Sequence, residues 1–170
     1  MRYSGYMAQF SFDIVSEYDA GELNNVVDQA QRELGNRYDL KGTAAALEWE
    51  TGDKQALKIT GDNEFHLEAI LDIVRKKLST RGQSQKVLDP REAVTSNLRL
   101  TQIVGLKSGL DQDKAKRITK LLREEFPKVK TQIQGEAVRV TSAKKDELQA
   151  VMTRLKAEDF DFPISFTNYR

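Results

Sequence analysis

The chain contains two copies of one pattern, in which a strand-like alternation is followed by a helix-like stripe of apolar residues. Residues 57–71 (LKITGDNEFHLEAIL) align without a gap with residues 138–152 (VRVTSAKKDELQAVM), at an offset of 81 positions. Each copy begins with apolar residues at every second position, which is the period of a strand with one buried face. Apolar residues then recur at the spacing of one helix face. The repeat predicts a duplicated strand–helix unit.

A second strand-like and helix-like pair precedes each copy. The alternating stretches 9–17 (QFSFDIVSE) and 98–106 (LRLTQIVGL) are each followed by a helical pattern. Asp19 and Asp111 stand where the N-caps of those two helices are expected. In each half, one more strand pattern lies between the first helix and the repeated segment; these are residues 43–50 and 129–134. A last strand pattern ends each half, at residues 85–89 and 164–169.

The order strand, helix, strand, strand, helix, strand, found twice, predicts an α+β protein. We expect two tandem ferredoxin-like (split βαβ) domains, each an antiparallel four-stranded sheet covered on one face by two helices. The predicted domains are residues 8–90 and 97–170, with a linker at 91–96. The pattern also allows a terminal strand to cross between the sheets. Met7 is a candidate initiator, which would make residues 1–6 an upstream extension.

Composition narrows the classes of function. The 170 residues are 39% hydrophobic and 31% charged, which is typical of a soluble globular protein. There is no cysteine, and His66 is the single histidine, so thiolate chemistry and a two-histidine metal site within one chain are excluded. No apolar run is long enough for a membrane span. We therefore expect a cytoplasmic protein without cofactor, metal, membrane contact or catalytic constellation.

Charge distribution favours the second half as the place where an anion binds. The formal charge is −4 over residues 1–90 and +5 over residues 91–170. If the apolar alternates face the helices, the open face of the second sheet carries Arg99, Thr101, Lys130, Gln132, Gln134, Arg139 and Thr141. The first sheet would show a face of mixed sign, with Ser11, Asp13, Lys58 and Thr60, and with Glu48 and Glu50 as further candidates.

These residue types suit nucleotide recognition. An arginine fork fits phosphate, and glutamine amides hydrogen-bond base edges. Lys144 and Lys145 fall in the first turn of the last helix, where a cation is unfavourable unless an anion is bound. Asp13 is a separate candidate, because its carboxylate could accept from the N–H donors of guanine or could pair with Lys58. Against this, polar side chains alternate on any sheet face that water covers.

Four stretches together resemble the bacterial YajQ family: SFDIVSE (11–17), RYDLKGT (37–43), IQGEAVRVTSAKKDELQAVM (133–152) and FTNYR (166–170). The similarity runs over residues 10–170 in order. It implies two tandem RNP-like domains in a cytosolic protein that binds nucleotides or RNA, and in some members cyclic di-GMP as an effector acting on transcription. The chain departs from the family's usual sequence at Ser142 and Ala143, where glycine and lysine are usual.

The leading hypothesis is a non-enzymatic protein that binds a nucleotide (cyclic di-GMP, GTP or ATP) or RNA, with a transcription regulator as a further partner. Its phosphate-binding candidates are Arg99, Lys130, Arg139, Lys144 and Lys145. Gln132 and Gln134 would contact base or ribose. The alternative is a protein–protein interaction module, such as a transcription co-factor, whose nucleotide affinity is incidental.

Overall fold

A computed structural model describes residues 9–170, so the candidate initiator Met7 lies outside the described part. The first elements are β1 (Phe10–Val15), α1 (Ala20–Asn36), β2 (Ala46–Trp49), β3 (Ala56–Gly61), α2 (Glu64–Thr80), β4 (Leu88–Pro90) and β5 (Val94–Ser96). They are followed by β6 (Arg99–Leu106), α3 (Gln112–Glu125), β7 (Lys130–Gln134), β8 (Ala137–Ser142), α4 (Lys145–Ala157) and β9 (Ser165–Thr167).

The strands form two antiparallel sheets. One has the order β7-β8-β1-β9, and the other has the order β2-β3-β6-β4, with β5 also paired to β6. Helices α1 and α2 pack against the β2-β3-β6-β4 sheet, and helices α3 and α4 pack against the β7-β8-β1-β9 sheet. The predicted α+β class, with two antiparallel ferredoxin-like sheets covered by helices, is confirmed. The prediction of four strands per sheet holds for one sheet, and β5 gives the other a fifth strand.

The two compact units do not coincide with the predicted domains 8–90 and 97–170. One unit is Tyr18–Lys107, and the other joins residues 9–17 to Ser108–Arg170. The reason is that β1 is hydrogen-bonded to β8 and β9, whereas β6 is hydrogen-bonded to β3, β4 and β5. Each sheet therefore holds the strand that the sequence order assigns to the other half.

The unit of residues 18–107 has an aliphatic core between its sheet and two helices. Leu57, Ile59 and Val104 are fully buried on the sheet, and Val26 and Val74 meet them from α1 and α2. Burial of this apolar surface is the main stabilising contribution to the unit. The N-cap of α2 is Asn63, whose side chain accepts from the His66 N–H at 2.9 Å.

The unit that contains β1 and residues 108–170 has a core with more aromatic residues. Phe12, Val140 and Phe162 are almost completely inaccessible, and Ile118 and Leu155 pack against them from α3 and α4. The rings of Phe12 and Phe166 meet edge to face at a centroid distance of 5.3 Å. The residues between these buried positions of β1 and β8 therefore face away from the helices, where they are available to contact a ligand.

The predicted N-caps of α1 and α3 are confirmed. Asp19 accepts from the backbone N–H of Glu22 at 3.0 Å, and Asp111 accepts from that of Lys114 at 2.9 Å. Each carboxylate accepts a hydrogen bond from a backbone N–H that has no partner within the helix. Its negative charge is also stabilised by the positive end of the helix dipole.

Candidate functional site

One sheet face collects most of the predicted binding residues. In the register of the β7-β8-β1-β9 sheet, Gln132 lies opposite Arg139, Arg139 opposite Asp13, and Asp13 opposite Thr167. Residues that face each other across neighbouring strands project on the same side of a sheet. We call this surface, away from the helices, the polar face; its members are Ser11, Asp13, Lys130, Gln132, Gln134, Arg139, Thr141 and Thr167.

Five of the eight predicted site residues belong to the polar face. Lys130, Gln132, Gln134 and Arg139 lie on β7 and β8 as predicted. Asp13 joins them because β1 is the next strand in this sheet. The expectation that Asp13 belongs to the sheet of Lys58 is therefore wrong, and the polar face includes an acidic residue.

Asp13 and Arg139 form a two-point ion pair across the centre of the polar face. Arg139 Nε donates to Asp13 Oδ1 at 2.9 Å and Nη2 donates to Oδ2 at 3.3 Å. Asn168 Nδ2 donates to the same Oδ2 at 2.8 Å, and Asp13 is 5% exposed. The hydrogen bonds from Arg139, and then that from Asn168, hold the pKa of Asp13 below its usual value against the opposing effect of burial. Asp13 is ionised at neutral pH.

The ion pair decides what Arg139 can offer a ligand. Two of its N–H groups are used by Asp13, and the remaining N–H donors can still bind phosphate or a base edge. Its charge is balanced by the carboxylate, so the pair itself attracts an anion only weakly. Lys58, the alternative partner for Asp13, lies in the other sheet with its Nζ 3.9 Å from Glu48.

Unbalanced positive charge lies at one end of this sheet. Lys144 is the N-cap of α4 and Lys145 is its first residue, directly after β8 ends at Ser142. Lys130 is opposite Thr141, so it belongs to the same end of the sheet. Within residues 9–170, no ion-pair partner is found for Lys130, Lys144 or Lys145. We call these three residues the lysine cluster.

The turn between β8 and α4, which carries Lys144 and Lys145, is organised by Ser142. Its Oγ accepts from the Lys144 N–H at 3.0 Å and donates to Glu147 Oε1 at 2.7 Å. Lys144 itself makes no side-chain cap bond. Asp146 and Glu147 in the first turn of α4 offset the cost of cations at this helix end. Ser142 therefore fixes the turn between β8 and α4, whereas no side chain caps the helix itself.

Arg99 is placed elsewhere by the structure. The prediction that it shares a sheet with Arg139 is wrong, because Arg99 begins β6, which pairs with β3, β4 and β5. There it borders a shallow depression of about 560 Å³ with Lys58, Thr60 and Glu48. This second surface is mixed in sign, as predicted for the sheet of Lys58.

A cleft in the β1 unit was not predicted from the sequence. It has a volume of about 240 Å³, and its lining includes Phe10, Lys145, Leu148, Gln149, Met152 and Tyr169. Backbone hydrogen bonds between Ser11 and Arg170, at 3.0 and 3.2 Å, hold the C-terminal residues beside β1. The sequence feature that points to it is the pair of aromatic residues, Phe166 and Tyr169, in the last strand pattern. Tyr169 is 62% exposed, and Phe12 is inaccessible.

Two kinds of site are not found in the described part of the chain. Residues 9–170 contain no group of three or more histidine or acidic side chains that could hold a metal ion. Over the same residues, no helix combines the length and the apolar character that crossing a bilayer requires.

Comparison with known proteins gives a match over almost the whole chain. A family model described as "Nucleotide-binding protein YajQ-like" matches residues 10–170. A protein of Trichodesmium erythraeum (strain IMS101), named nucleotide-binding protein, is 48% identical over 162 residues, which cover 94% of this chain and 97% of that protein. Proteins of the same name from Nocardioides sp. (strain ATCC BAA-499 / JS614) and Thermobifida fusca (strain YX) are 44% and 45% identical, each over 96% of this chain and 99–100% of their own length.

Proposed function

This chain belongs to the YajQ-like family of nucleotide-binding proteins, and we propose that it binds a nucleotide or RNA on the polar face without transforming it. The observation that carries the proposal is the meeting of Lys130, Gln132 and Arg139 on one sheet face, next to the two lysines at the start of α4. The name that the relatives share supports a nucleotide as the ligand.

In this proposal the residues have different tasks. The lysine cluster attracts phosphate, because its charges have no ion-pair partner within residues 9–170. Gln132 and Gln134 donate to and accept from base edges or ribose hydroxyls. Arg139 offers its remaining N–H groups in a fixed direction. Asp13 is a positioning residue, since it is almost inaccessible and bonded to Arg139.

Cyclic di-GMP, GTP, ATP and short RNA are the ligands to compare. Cyclic di-GMP combines phosphates for the lysines with guanine edges for the two glutamines. An effector of this kind would connect the protein to a transcription regulator in the cytoplasm. Arg99 lies in the other sheet, so we assign it at most a separate anion contact there.

Calorimetric titration of the full chain with cyclic di-GMP, GTP, ATP and a short single-stranded RNA tests the proposal. The double variant Lys130→Ala plus Lys144→Ala should weaken binding about tenfold or more, because two unpaired cations are removed. Lys120→Ala is the matched control, since this lysine is exposed on α3, on the helix side of the sheet. If the wild type binds none of the four ligands, the proposal is overturned.

Two further results distinguish the proposal from a binding site elsewhere on the protein and from an enzyme. If the double variant and the wild type bind with equal affinity, the lysine cluster is not part of the binding site. Release of phosphate or of a cleaved product from any of the four ligands would show an enzyme instead of a binding protein.

The alternative, a protein–protein interaction module, is favoured by one observation. The edge strand β7 exposes Ile133 to 41%, and an open edge can pair with a strand of another protein. Salt distinguishes the two functions. Contacts from the lysine cluster to three RNA phosphates predict a slope of log Kobs against log salt of about −2, whereas an apolar protein interface should change little.

A further inference from the structure

The cleft beside α4 has the composition of a small-ligand site. Leu148 and Met152, one turn apart on α4, form an apolar wall, and Phe10 and Tyr169 add two aromatic rings. Pockets that bind small molecules are mostly apolar, with a few polar groups that orient the ligand. Here Gln149 and Lys145 supply those groups from the same helix.

Tyr169 is placed to stack with a planar ring. One side of its ring lies over Phe12, at a centroid distance of 6.4 Å and an interplanar angle of 29°. Yet Tyr169 remains 62% exposed, while Phe12 beneath it is completely covered. An aromatic side chain that is supported on one side and open to solvent on the other is a platform of the kind on which nucleobases stack.

The positive charge around the cleft suits a ligand whose planar ring carries an attached anionic group. Lys145 lines the cleft and has no ion-pair partner among residues 9–170. Arg170 also lines it, and part of the field of its charge falls on Asp13, with which it makes no direct ion pair. Ser11 also lines it and lies opposite Thr141, the neighbour of Lys130 across the polar face. The cleft and the lysine cluster thus share the end of the sheet at which β1 begins.

We infer that this cleft receives the base of a nucleotide, stacked on Tyr169 and bordered by Gln149, with its phosphate at Lys145 and Arg170. The inference rests on the proposed function and gives it a base-binding pocket that the polar face lacks. The volume of about 240 Å³ is below the range of about 300–1,000 Å³ for pockets that enclose a drug-sized ligand, so the cleft would enclose only part of a nucleotide. The second base of a cyclic dinucleotide, or the next base of an RNA, would then lie outside the cleft, toward the lysine cluster.

The test compares a ligand that has a base with one that lacks it. GMP and ribose 5-phosphate are titrated into the full chain, and affinities are followed by chemical-shift changes in two-dimensional NMR spectra. Tyr169→Ala should weaken GMP about tenfold or more and leave ribose 5-phosphate unchanged, because only stacking is lost. Tyr169→Phe should retain GMP binding. Lys145→Ala should weaken both ligands, because both carry the phosphate.

Matched controls and a blocking variant complete the experiment. Gln149→Trp places a large ring on the exposed edge of the cleft and should exclude GMP without disturbing the core. Tyr38→Ala removes a tyrosine that is 94% exposed in the other unit, and Lys120→Ala removes a cation from α3; both should bind as the wild type does. Circular dichroism and the thermal midpoint confirm that each variant is folded.

The outcomes separate this inference from the proposed function. If the wild type binds GMP and both Tyr169→Ala and Gln149→Trp bind it equally well, the cleft is not the base pocket, and the proposed function stands. If the wild type binds no nucleotide, the proposed function fails, and the inference fails with it.

Discussion

At the scale of single residues, the ion pair of Asp13 and Arg139 joins strands from opposite ends of the chain, 126 positions apart. It fixes the arginine that the sequence assigned to phosphate, and it leaves the lysines as the unbalanced charges. Because hydrogen bonds from Arg139 and Asn168 lower the pKa of Asp13 below its ordinary value of 3.8, the pair stabilises the folded state when Asp13 is ionised. This contribution is present above about pH 4 and is lost as the pH falls through the lowered pKa.

Asp13→Asn should therefore reduce the free energy of unfolding by about 1–3 kcal/mol at neutral pH, because it leaves the Arg139 guanidinium without its counter-charge. The difference from the wild type should shrink as the pH falls below the ordinary pKa of Asp13. Urea unfolding at neutral and acidic pH measures both values.

The matched control is Glu48→Gln, which removes the cross-strand partner of Lys58 in the other sheet. That pair is exposed and 3.9 Å apart, so its loss should cost less than about 0.5 kcal/mol. Equal costs for the two variants, or a cost of Asp13→Asn that does not depend on pH, would contradict the role given to the pair.

At the scale of elements, α4 differs from the other three α-helices in its N-cap. Aspartate or asparagine side chains cap α1, α2 and α3, whereas the N-cap of α4 is Lys144, which makes no cap bond with its side chain. A cation at this end of a helix is unfavourable for stability. Proteins often retain such local costs where function requires them.

Lys144→Asp should accordingly raise the free energy of unfolding by about 0.5–1 kcal/mol, because it places a negative charge at the positive end of the α4 dipole. The same variant should weaken nucleotide binding. Thermal denaturation and calorimetric titration give the two results, and Lys120→Asp on α3 serves as the control for a change of charge alone. Lower stability together with unchanged binding would show that Lys144 has neither the cost nor the function assigned to it.

At the scale of the whole molecule, the chain order and the sheet order differ. Strand β6 lies inside the sheet of residues 18–107, with β3 on one side and β4 and β5 on the other. Strand β1 has the same inner place between β8 and β9. A fragment that follows the chain order therefore lacks an inner strand. The strand β3 or β8 then loses one of its two partners, and β4 or β9 loses its only one.

Expression of two fragments tests this arrangement. Residues 18–107 should unfold in one cooperative transition, because they contain every strand of one sheet. Residues 8–90, the domain expected from the repeat, should show no such transition, because β6 is missing. Urea unfolding followed by circular dichroism distinguishes them, and a cooperative transition for residues 8–90 alone would contradict the strand pairing.

Local patterns determined much of this protein by themselves. The alternation in residues 137–142 and the caps Asp19 and Asp111 depend on neighbours within a few positions, so the sequence contains all that is needed to predict them. The same alternation identified Lys130, Gln132 and Arg139 as members of one polar surface. The distribution of charge also pointed to the half of the chain that carries the lysine cluster.

The tertiary structure alone decided which sheet receives β1 and which receives β6. Both strands alternate apolar and polar residues, and backbone N–H and C=O groups are the same in every strand, so the pattern does not specify the partner. That choice moved Asp13 next to Arg139, separated Arg99 from them, and brought Phe10 and Tyr169 together at the cleft beside α4. These contacts join distant parts of the chain, and their geometry follows from packing, which no local pattern encodes.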